Sequence, residues 1–212
     1  MTSRQRSTVR RVATLVALIA LAVATGCSIT RPAPVKETFL LDPASPAAVA
    51  KGQPGSLRIG VVNVGAPFRG RNFVVRETEL KFESDFYHEF FVPPGVIIAD
   101  ATGRALAAAK VFGSVGRPGV AVDADWVLDG FVGALYADAR DPAKPAAVIQ
   151  VTYYLSRDNG GVGAPVWSKA YRKHVPFVSS STEAYVNTLN TAFSEILAEL
   201  ARDLAAAELP KP

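Results

Sequence analysis

The acid–base candidates of this sequence centre on its two histidines. Asp85, His88 and Glu89 lie close together along the chain and could act as an acid–base cluster. Catalytic groups usually come from separate segments of a chain, so polar side chains on a surface or between strands are the favoured interpretation. His174 lies among basic residues of a predicted strand, which indicates a solvated edge. No serine has a Gly-x-Ser-x-Gly context, and we predict that the protein is not an enzyme.

Three aspartates offer the oxygen ligands of a hard cation. A calcium loop, however, needs ligands at alternate positions around a glycine turn, whereas Asp129 follows Asp123 and Asp125 into an apolar run. We therefore interpret the three as a turn and the start of a strand. With one cysteine and two histidines the chain also lacks the common Cys/His zinc sites. The glycines of residues 113–119 do not match the dinucleotide fingerprint, so we predict no metal and no cofactor.

The single cysteine, Cys27, follows a short apolar segment near the N-terminus. Residues 1–26 contain four arginines and no acidic side chain, and residues 12–23 are apolar apart from one threonine. Twelve helical residues span about 18 Å, short of a bilayer core of roughly 30 Å, so a secretory signal peptide is favoured over a membrane-spanning anchor. Ala24-Thr25-Gly26-Cys27 resembles a bacterial lipobox, which predicts cleavage before Cys27 and its modification by acyl chains such as palmitate.

Lipidation of Cys27 would hold the protein on a membrane. Two or more acyl chains give stable anchoring without a spanning helix. An aspartate directly after the lipidated cysteine resembles an inner-membrane retention signal. This chain has Ser28 at that position, which predicts that the protein lies on the outer membrane and faces the periplasm. Residues 27–36, with two prolines, form the predicted tether. Loss of the four arginines reduces 23 basic residues to 19, equal to the 19 acidic ones, so we expect no nucleic-acid partner.

Hydrophobic periodicity predicts one α+β domain over residues 37–209. Its two main helices begin at Pro93-Pro94 and at a Ser180-to-Glu183 capping box. The helices are expected to pack on a mainly antiparallel sheet, with residues 125–138 as its central strand and residues 113–119 as a turn. The remaining predicted strands are residues 37–41, 57–62, 73–82 (one long strand or a hairpin), 148–156 and 165–177.

An aromatic segment is the main candidate for binding. Phe86, Tyr87, Phe90 and Phe91 follow Phe82 within ten residues. Ordinary core packing is the favoured interpretation, and a surface that docks a partner subunit or an acyl chain is the alternative, because exposed apolar patches mark interaction sites. The sequence leaves both open.

Four parts of the chain, in order, carry a family resemblance. They are Cys27 with the short strand Phe39-Leu40-Leu41, the stretch from Phe73-Val74-Val75-Arg76 through Phe90 to Pro93-Pro94, the strand Ala124-Asp125-Trp126-Val127-Leu128-Asp129-Gly130, and the C-terminal helix after a small polar cap. Together they resemble the ABC-type transport auxiliary lipoproteins, the lipid-anchored partners of MCE-domain lipid-transport systems. Phe90 stands where the family usually has a tryptophan.

The resemblance implies an assembly partner rather than a catalyst. The MCE-domain subunit of an ABC transporter is the expected protein partner, and phospholipid and a second copy of the chain are further candidates. Two other functions stay open, an envelope hydrolase of unrecognised type and a structural lipoprotein without a transport role.

Overall fold

A computed structural model describes residues 35–116, 118, 123–158, 164–178 and 181–211. The predicted signal peptide, Cys27 and Ser28 lie outside the described residues. From Lys36 onward the chain forms one compact unit. The elements within the described residues are β1 (Glu37–Phe39), β2 (Gln53–Val64), a 3-10 turn (Ala66–Phe68), β3 (Asn72–Arg76), β4 (Phe82–Phe90), α1 (Pro94–Ala108), β5 (Phe112–Gly116), β6 (Trp126–Asp138), β7 (Ala146–Arg157), β8 (Trp167–Pro176) and α2 (Thr182–Ala206).

Strand β6 organises the sheet. One edge of β6 pairs with antiparallel β7 along its full length, and β7 pairs in turn with β8. The other edge is shared by two parallel strands: β2 pairs with residues 126–132, and β3 pairs with Ala137 and Asp138. The sheet therefore divides into two branches beyond β6, β2–β5 and β3–β4–β1. The central position predicted for residues 125–138 is confirmed.

The predicted α+β class is confirmed, and the sheet of the described strands is mixed. Among the seven pairings of the described strands, the four that join β1 to β4, β2 to β5, β2 to β6 and β3 to β6 are parallel. Antiparallel hairpins follow from short turns, whereas a parallel pair needs a long crossover connection. The sequence pattern therefore identified the hairpins and not the crossovers.

Residues 113–119 were predicted as a turn, and this prediction was wrong for the first part, which belongs to strand β5. Its glycines conceal the strand pattern, because Gly lowers strand propensity and often marks a close backbone approach. A Cβ at Gly113 would lie 3.0 Å from the carbonyl oxygen of Gly55 on β2. Glycine at this position thus lets the two strands come together.

Both helices bury an apolar face. Helix α1 packs on β2 and β5, α2 packs on β7 and β8, and the helices contact each other. The predicted apolar stripe of α2 is confirmed, since six of its residues are fully buried: Leu189, Phe193, Ile196, Leu197, Leu200 and Leu204. No helix of the described residues is long and apolar enough to cross a membrane.

The ends of α2 differ from the prediction by a few residues. The N-cap is Ser181, whose hydroxyl accepts a hydrogen bond from the Ala184 amide at 3.2 Å, whereas the predicted cap, Ser180, lies outside the described residues. At the other end, the Gln53 side chain donates to the carbonyl oxygens of Leu204 (3.0 Å) and Ala207 (2.7 Å). These bonds add to those that the same two carbonyls accept from the Ala207 and Leu209 amides, at a helix end whose last carbonyls have few partners within the helix.

Candidate partner-docking edge

Strand β4 contains an insertion relative to its neighbour β3. Asn72 pairs with Glu89 and Val74 pairs with Ser84, so five steps along β4 face two steps along β3. The four residues 85–88 therefore stand opposite Phe73 alone and form a bulge. Bulges commonly redirect a side chain and end regular pairing, and this one lies in the middle of the aromatic segment.

Asp85 holds the bulge in place. Its carboxylate accepts hydrogen bonds from the backbone nitrogens of Tyr87 (2.7 Å) and His88 (3.1 Å) and lies 2.7 Å from His88 Nδ1. The Asn72 side chain donates to the Asp85 carbonyl oxygen at 2.7 Å. Partial burial raises the pKa of Asp85, but the hydrogen bonds from His88 and the two amides outweigh it and the pKa falls below its usual value. Asp85 is thus an ionised side chain that shapes the backbone.

The bulge presents two aromatic rings to solvent. Phe86 is 61% exposed and Tyr87 is 50% exposed. Their rings meet edge to face with centroids 5.4 Å apart, and Lys36 Nζ lies 5.4 Å from the centre of the Phe86 ring. The hydrogen bonds of Asp85 to the backbone beneath them hold the bulge that places both rings at the surface.

The remaining aromatic residues divide between core and surface. Phe90 is only 2% exposed and packs edge to face on Phe73 with ring centroids 4.6 Å apart. Phe91 is 62% exposed, and its amide donates to the Phe39 carbonyl oxygen at 2.7 Å. The core interpretation therefore holds for Phe90, whereas Phe86, Tyr87 and Phe91 lie at the surface.

These exposed rings follow one border of the sheet. Strand β1 pairs in parallel with the end of β4, from Glu37 opposite His88 to Phe39 opposite Phe90, and it ends its branch of the sheet among the described strands. Leu40, which follows β1, is 55% exposed. We name this border the aromatic edge, and it consists of β1 with Leu40, Phe86, Tyr87 and Phe91.

The predicted acid–base cluster assembles only in part. Asp85 and His88 come together, but Glu89 forms ion pairs with Lys36 (3.2 Å) and Arg71 instead. The imidazole of His88 has Glu37 on its other side, with 3.8 Å between Nε2 and Oε2. Charged residues thus surround the aromatic edge, as they do at many edge strands that must not pair nonspecifically.

Two of the three aspartates considered for a metal site, Asp125 and Asp129, bind the backbone of β2. Asp125 accepts hydrogen bonds from the Ser56 amide (2.7 Å) and hydroxyl (2.9 Å), and Asp129 accepts one from the Val61 amide at 2.8 Å. The bond from the Val61 amide to Asp129 lies where the pairing of β2 with β6 shifts register. Glycine is required at position 60, because a Cβ there would lie 2.2 Å from the Asp129 carboxylate. No group of three metal-ligating side chains occurs in the part of the chain that the structure describes.

His174, predicted on a solvated edge, is half exposed, and its Nε2 lies 3.6 Å from the Asp138 carboxylate. Asp138 is buried and accepts two hydrogen bonds from the Arg140 guanidinium, at 2.9 and 2.7 Å. These bonds lower the pKa of Asp138 to about 2. Asp138 and Arg140 thus form a structural ion pair at the end of β6.

Two concave regions were not expected from the sequence. An open groove of about 550 Å³ lies between β2 and the start of α1. A smaller cavity of about 290 Å³ lies between β3, the end of β6 and the first turn of α2, and Tyr185 forms part of its wall. Tyr185 had appeared in the sequence only as one aromatic residue of a helix, so no local signal indicated the second cavity.

The fold and the edge define a single α+β domain with an exposed aromatic border. No protein-family model matches the chain, and no curated protein sequence is significantly similar to it.

Comparison with solved structures shows what this domain is similar to. The Xanthomonas campestris protein XCC0632, described under the family model DUF330, superposes with a TM-score of 0.69 at 18% identity, over 78% of this chain and 92% of that one. A second, uncharacterized protein gives 0.63 at 13% identity, over 80% and 99%. Lipoprotein GNA1162 from Neisseria meningitidis gives 0.28 at 13% identity, over 70% and 99%, which is too low to support an argument. At these identities the likeness concerns the fold alone.

Proposed function

We propose that the protein is a lipid-anchored outer-membrane component of an MCE-type lipid-transport system, and that it binds the MCE subunit through the aromatic edge. The observation that carries the proposal is the Phe86–Tyr87 pair, exposed and fixed on a bulge next to β1, the first strand after the predicted tether. The sequence resemblance to the auxiliary lipoproteins supports the choice of partner.

The aromatic edge has the composition of a binding surface. Exposed aromatic residues supply much of the affinity in protein interfaces, particularly where a charged rim surrounds them. Lys36, Arg71 and Glu89 form such a rim. Because Asp85 fixes the bulge, little conformational freedom remains to be lost on binding, and preorganisation of this kind strengthens association.

The tether would keep this edge close to the membrane. Nine residues, 28–36, separate Cys27 from β1, and an extended chain of that length reaches about 30 Å. A partner that delivers or removes lipid at the same membrane would approach within this distance. The predicted anchor and the aromatic edge thus fit one task, that of holding a transport subunit near a bilayer.

A binding role accounts for the Asp85–His88 pair better than catalysis does. Both side chains take part in the hydrogen bonds that shape the bulge. The pair is therefore occupied in presenting Phe86 and Tyr87, and we propose no reaction at this site.

Co-purification with the MCE subunit encoded in the same genome tests the proposal. A double variant, Phe86→Ser with Tyr87→Ser, is expected to reduce the captured MCE subunit at least about tenfold, because interface aromatics often contribute more than 1.4 kcal/mol. Leu80→Ser is the matched control, since Leu80 is 94% exposed on the β3–β4 turn. Equal capture by the double variant and the wild type would refute the aromatic edge as the interface. Loss of self-association alone, measured by light scattering, would assign the edge to a second copy of the chain.

A further inference from the structure

The smaller cavity has a mostly apolar wall. Its lining includes Phe73 and Val75 from β3, Ala137 from β6, Pro145 from the β6–β7 loop and Phe177 after β8. Its volume of about 290 Å³ is close to the lower end of the roughly 300–1,000 Å³ typical of small-molecule sites. A space of this kind accommodates a short apolar group.

Tyr185 is the unusual member of the lining. The residue is 5% exposed, and its ring meets Phe73 and Phe177 at centroid distances of 5.4 and 6.0 Å. Its hydroxyl is buried and has no hydrogen-bond partner among the described residues. Burial raises the pKa of this hydroxyl above its usual value, so it remains a neutral donor. A buried donor without an acceptor is costly and calls for an explanation.

Two polar side chains of the cavity wall, Asp85 and Ser181, are already engaged. The Asp85 carboxylate binds Tyr87 and His88, and the Ser181 hydroxyl caps α2. A trapped water needs two to four polar partners, whereas the Tyr185 hydroxyl is the one buried side-chain polar atom without a partner among the described residues. The site is thus suited to an apolar chain that carries one acceptor oxygen.

We propose that this cavity binds the acyl chain of a lipid, with the ester carbonyl oxygen accepting a hydrogen bond from Tyr185. The choice of a lipid among apolar ligands rests on the proposed function. A neutral ester suits the site better than a free fatty acid, because the ionised Asp85 forms part of the lining and repels a second carboxylate. The cavity would shelter one chain while the lipid passes between the transport subunit and the membrane.

Titration calorimetry with 1-lauroylglycerol, below its aggregation concentration, tests this site. Two further probes change the acceptor: 1-O-dodecylglycerol lacks the carbonyl, and laurate carries a charge. We expect 1-lauroylglycerol to bind most tightly of the three. Tyr185→Phe is expected to weaken 1-lauroylglycerol binding roughly fivefold and 1-O-dodecylglycerol binding clearly less, because an ether oxygen is a weaker acceptor than an ester carbonyl oxygen.

A second variant fills the cavity. Ala137→Leu should reduce binding of both glycerol probes at least about tenfold by occupying the space. Ala170→Leu, at an exposed position of β8, is the matched control and should bind as the wild type does. Absence of binding by the wild type would overturn the proposal. So would equal binding by the Ala137 and Ala170 variants, or equal loss of both glycerol probes in Tyr185→Phe.

The two proposals can fail separately. Capture of the MCE subunit by Ala137→Leu should equal that by the wild type, since Ala137 lines the cavity and is not part of the aromatic edge. If 1-lauroylglycerol binds as expected and no MCE subunit is captured, the proposed function fails and the cavity remains a lipid site. If the MCE subunit is captured and the probes do not bind, only the cavity assignment fails.

Discussion

The hydroxyl of Tyr153 lies 2.8 Å from Thr102 Oγ1, with both residues fully buried. Thr102 donates its own proton to the Ile98 carbonyl oxygen at 2.7 Å, so Tyr153 is the donor to Thr102. This bond joins β7 to α1 across the core. Tyr185 is as deeply buried as Tyr153 but lacks a partner among the described residues.

Replacing each of these tyrosines with phenylalanine should change the free energy of unfolding in different ways. Tyr153→Phe removes a satisfied hydrogen bond and should lower the free energy of unfolding by about 1 kcal/mol. Tyr185→Phe removes an unpaired buried hydroxyl and should leave stability unchanged or raise it by up to about 1 kcal/mol. Urea denaturation of both variants measures the difference. An equal loss in both would mean that Tyr185 has a partner in the folded protein.

The ionisation of Asp138 makes the free energy of unfolding depend on pH. Its pKa of about 2 in the folded protein lies below the roughly 3.9 of an unfolded chain, so its ion pair with Arg140 stabilises the fold above about pH 4. This contribution, about 2 kcal/mol, is lost as the pH falls from about 4 to 2. Asp138→Asn should therefore destabilise the protein at pH 6 and hardly at all at pH 2.

Chemical denaturation at several pH values checks this prediction. Asp100→Asn is the control, because Asp100 forms an exposed pair with Arg104 on α1 that is worth less than about 0.5 kcal/mol. A loss for Asp138→Asn that is the same at pH 2 and pH 6 would contradict the assignment of a low pKa.

Gln53 caps the C-terminal end of α2 from strand β2. Gln53→Leu keeps the approximate size of the side chain and removes its donors to Leu204, Ala205 and Ala207. We expect a loss of about 1–2 kcal/mol in unfolding free energy, with faster amide exchange in the last turn of α2. Gln150→Leu, which removes a surface hydrogen bond with Arg172, should cost less than half as much. Equal effects would show that the cap contributes nothing specific.

Asp85 should control partner binding without contacting the partner. Asp85→Ala removes the acceptor for the Tyr87 and His88 amides, so the bulge should loosen and chymotrypsin should cleave faster after Phe86 or Tyr87. Capture of the MCE subunit is expected to fall several-fold. Asp85→Asn retains one acceptor oxygen and should preserve most of the capture. A protease-resistant Asp85→Ala bulge would contradict the role given to Asp85.

Lipidation of Cys27 can be measured directly. Cells grown with radioactive palmitate should incorporate label into the wild-type protein and none into Cys27→Ala. The unmodified variant should also leave the membrane fraction, since the anchor requires acyl chains. An unlabelled wild-type protein would refute the predicted anchor and remove the membrane-proximity argument for the aromatic edge.

Local patterns predicted those parts of the fold that local interactions determine. The β6–β7–β8 hairpins and the apolar stripe of α2 follow from alternation and helical spacing over short windows. Strand β5 and the parallel pairings depend on partners far along the chain. Gly113, for example, suits β5 only because Gly55 of β2 lies against it.

The aromatic segment could not be divided between core and surface by alternation. In a regular strand Phe86 and Phe90 would share one face, yet Phe86 is 61% exposed and Phe90 is 2% exposed. The bulge at residues 85–88 breaks the alternation between them. Asp85, two residues before Tyr87, was the available signal, because aspartate often binds the backbone amide two residues on.

The divided pairing along β6 imposes an order on folding. The β6–β7–β8 meander needs only short turns and can form early, whereas β2 reaches β6 across a long gap, with Ser56 and Asp125 separated by 69 residues. Contacts over such distances form slowly, because closing the intervening loop costs entropy first. Strands β2 and β3 precede β6 in the chain and therefore lack their parallel partner until β6 joins them.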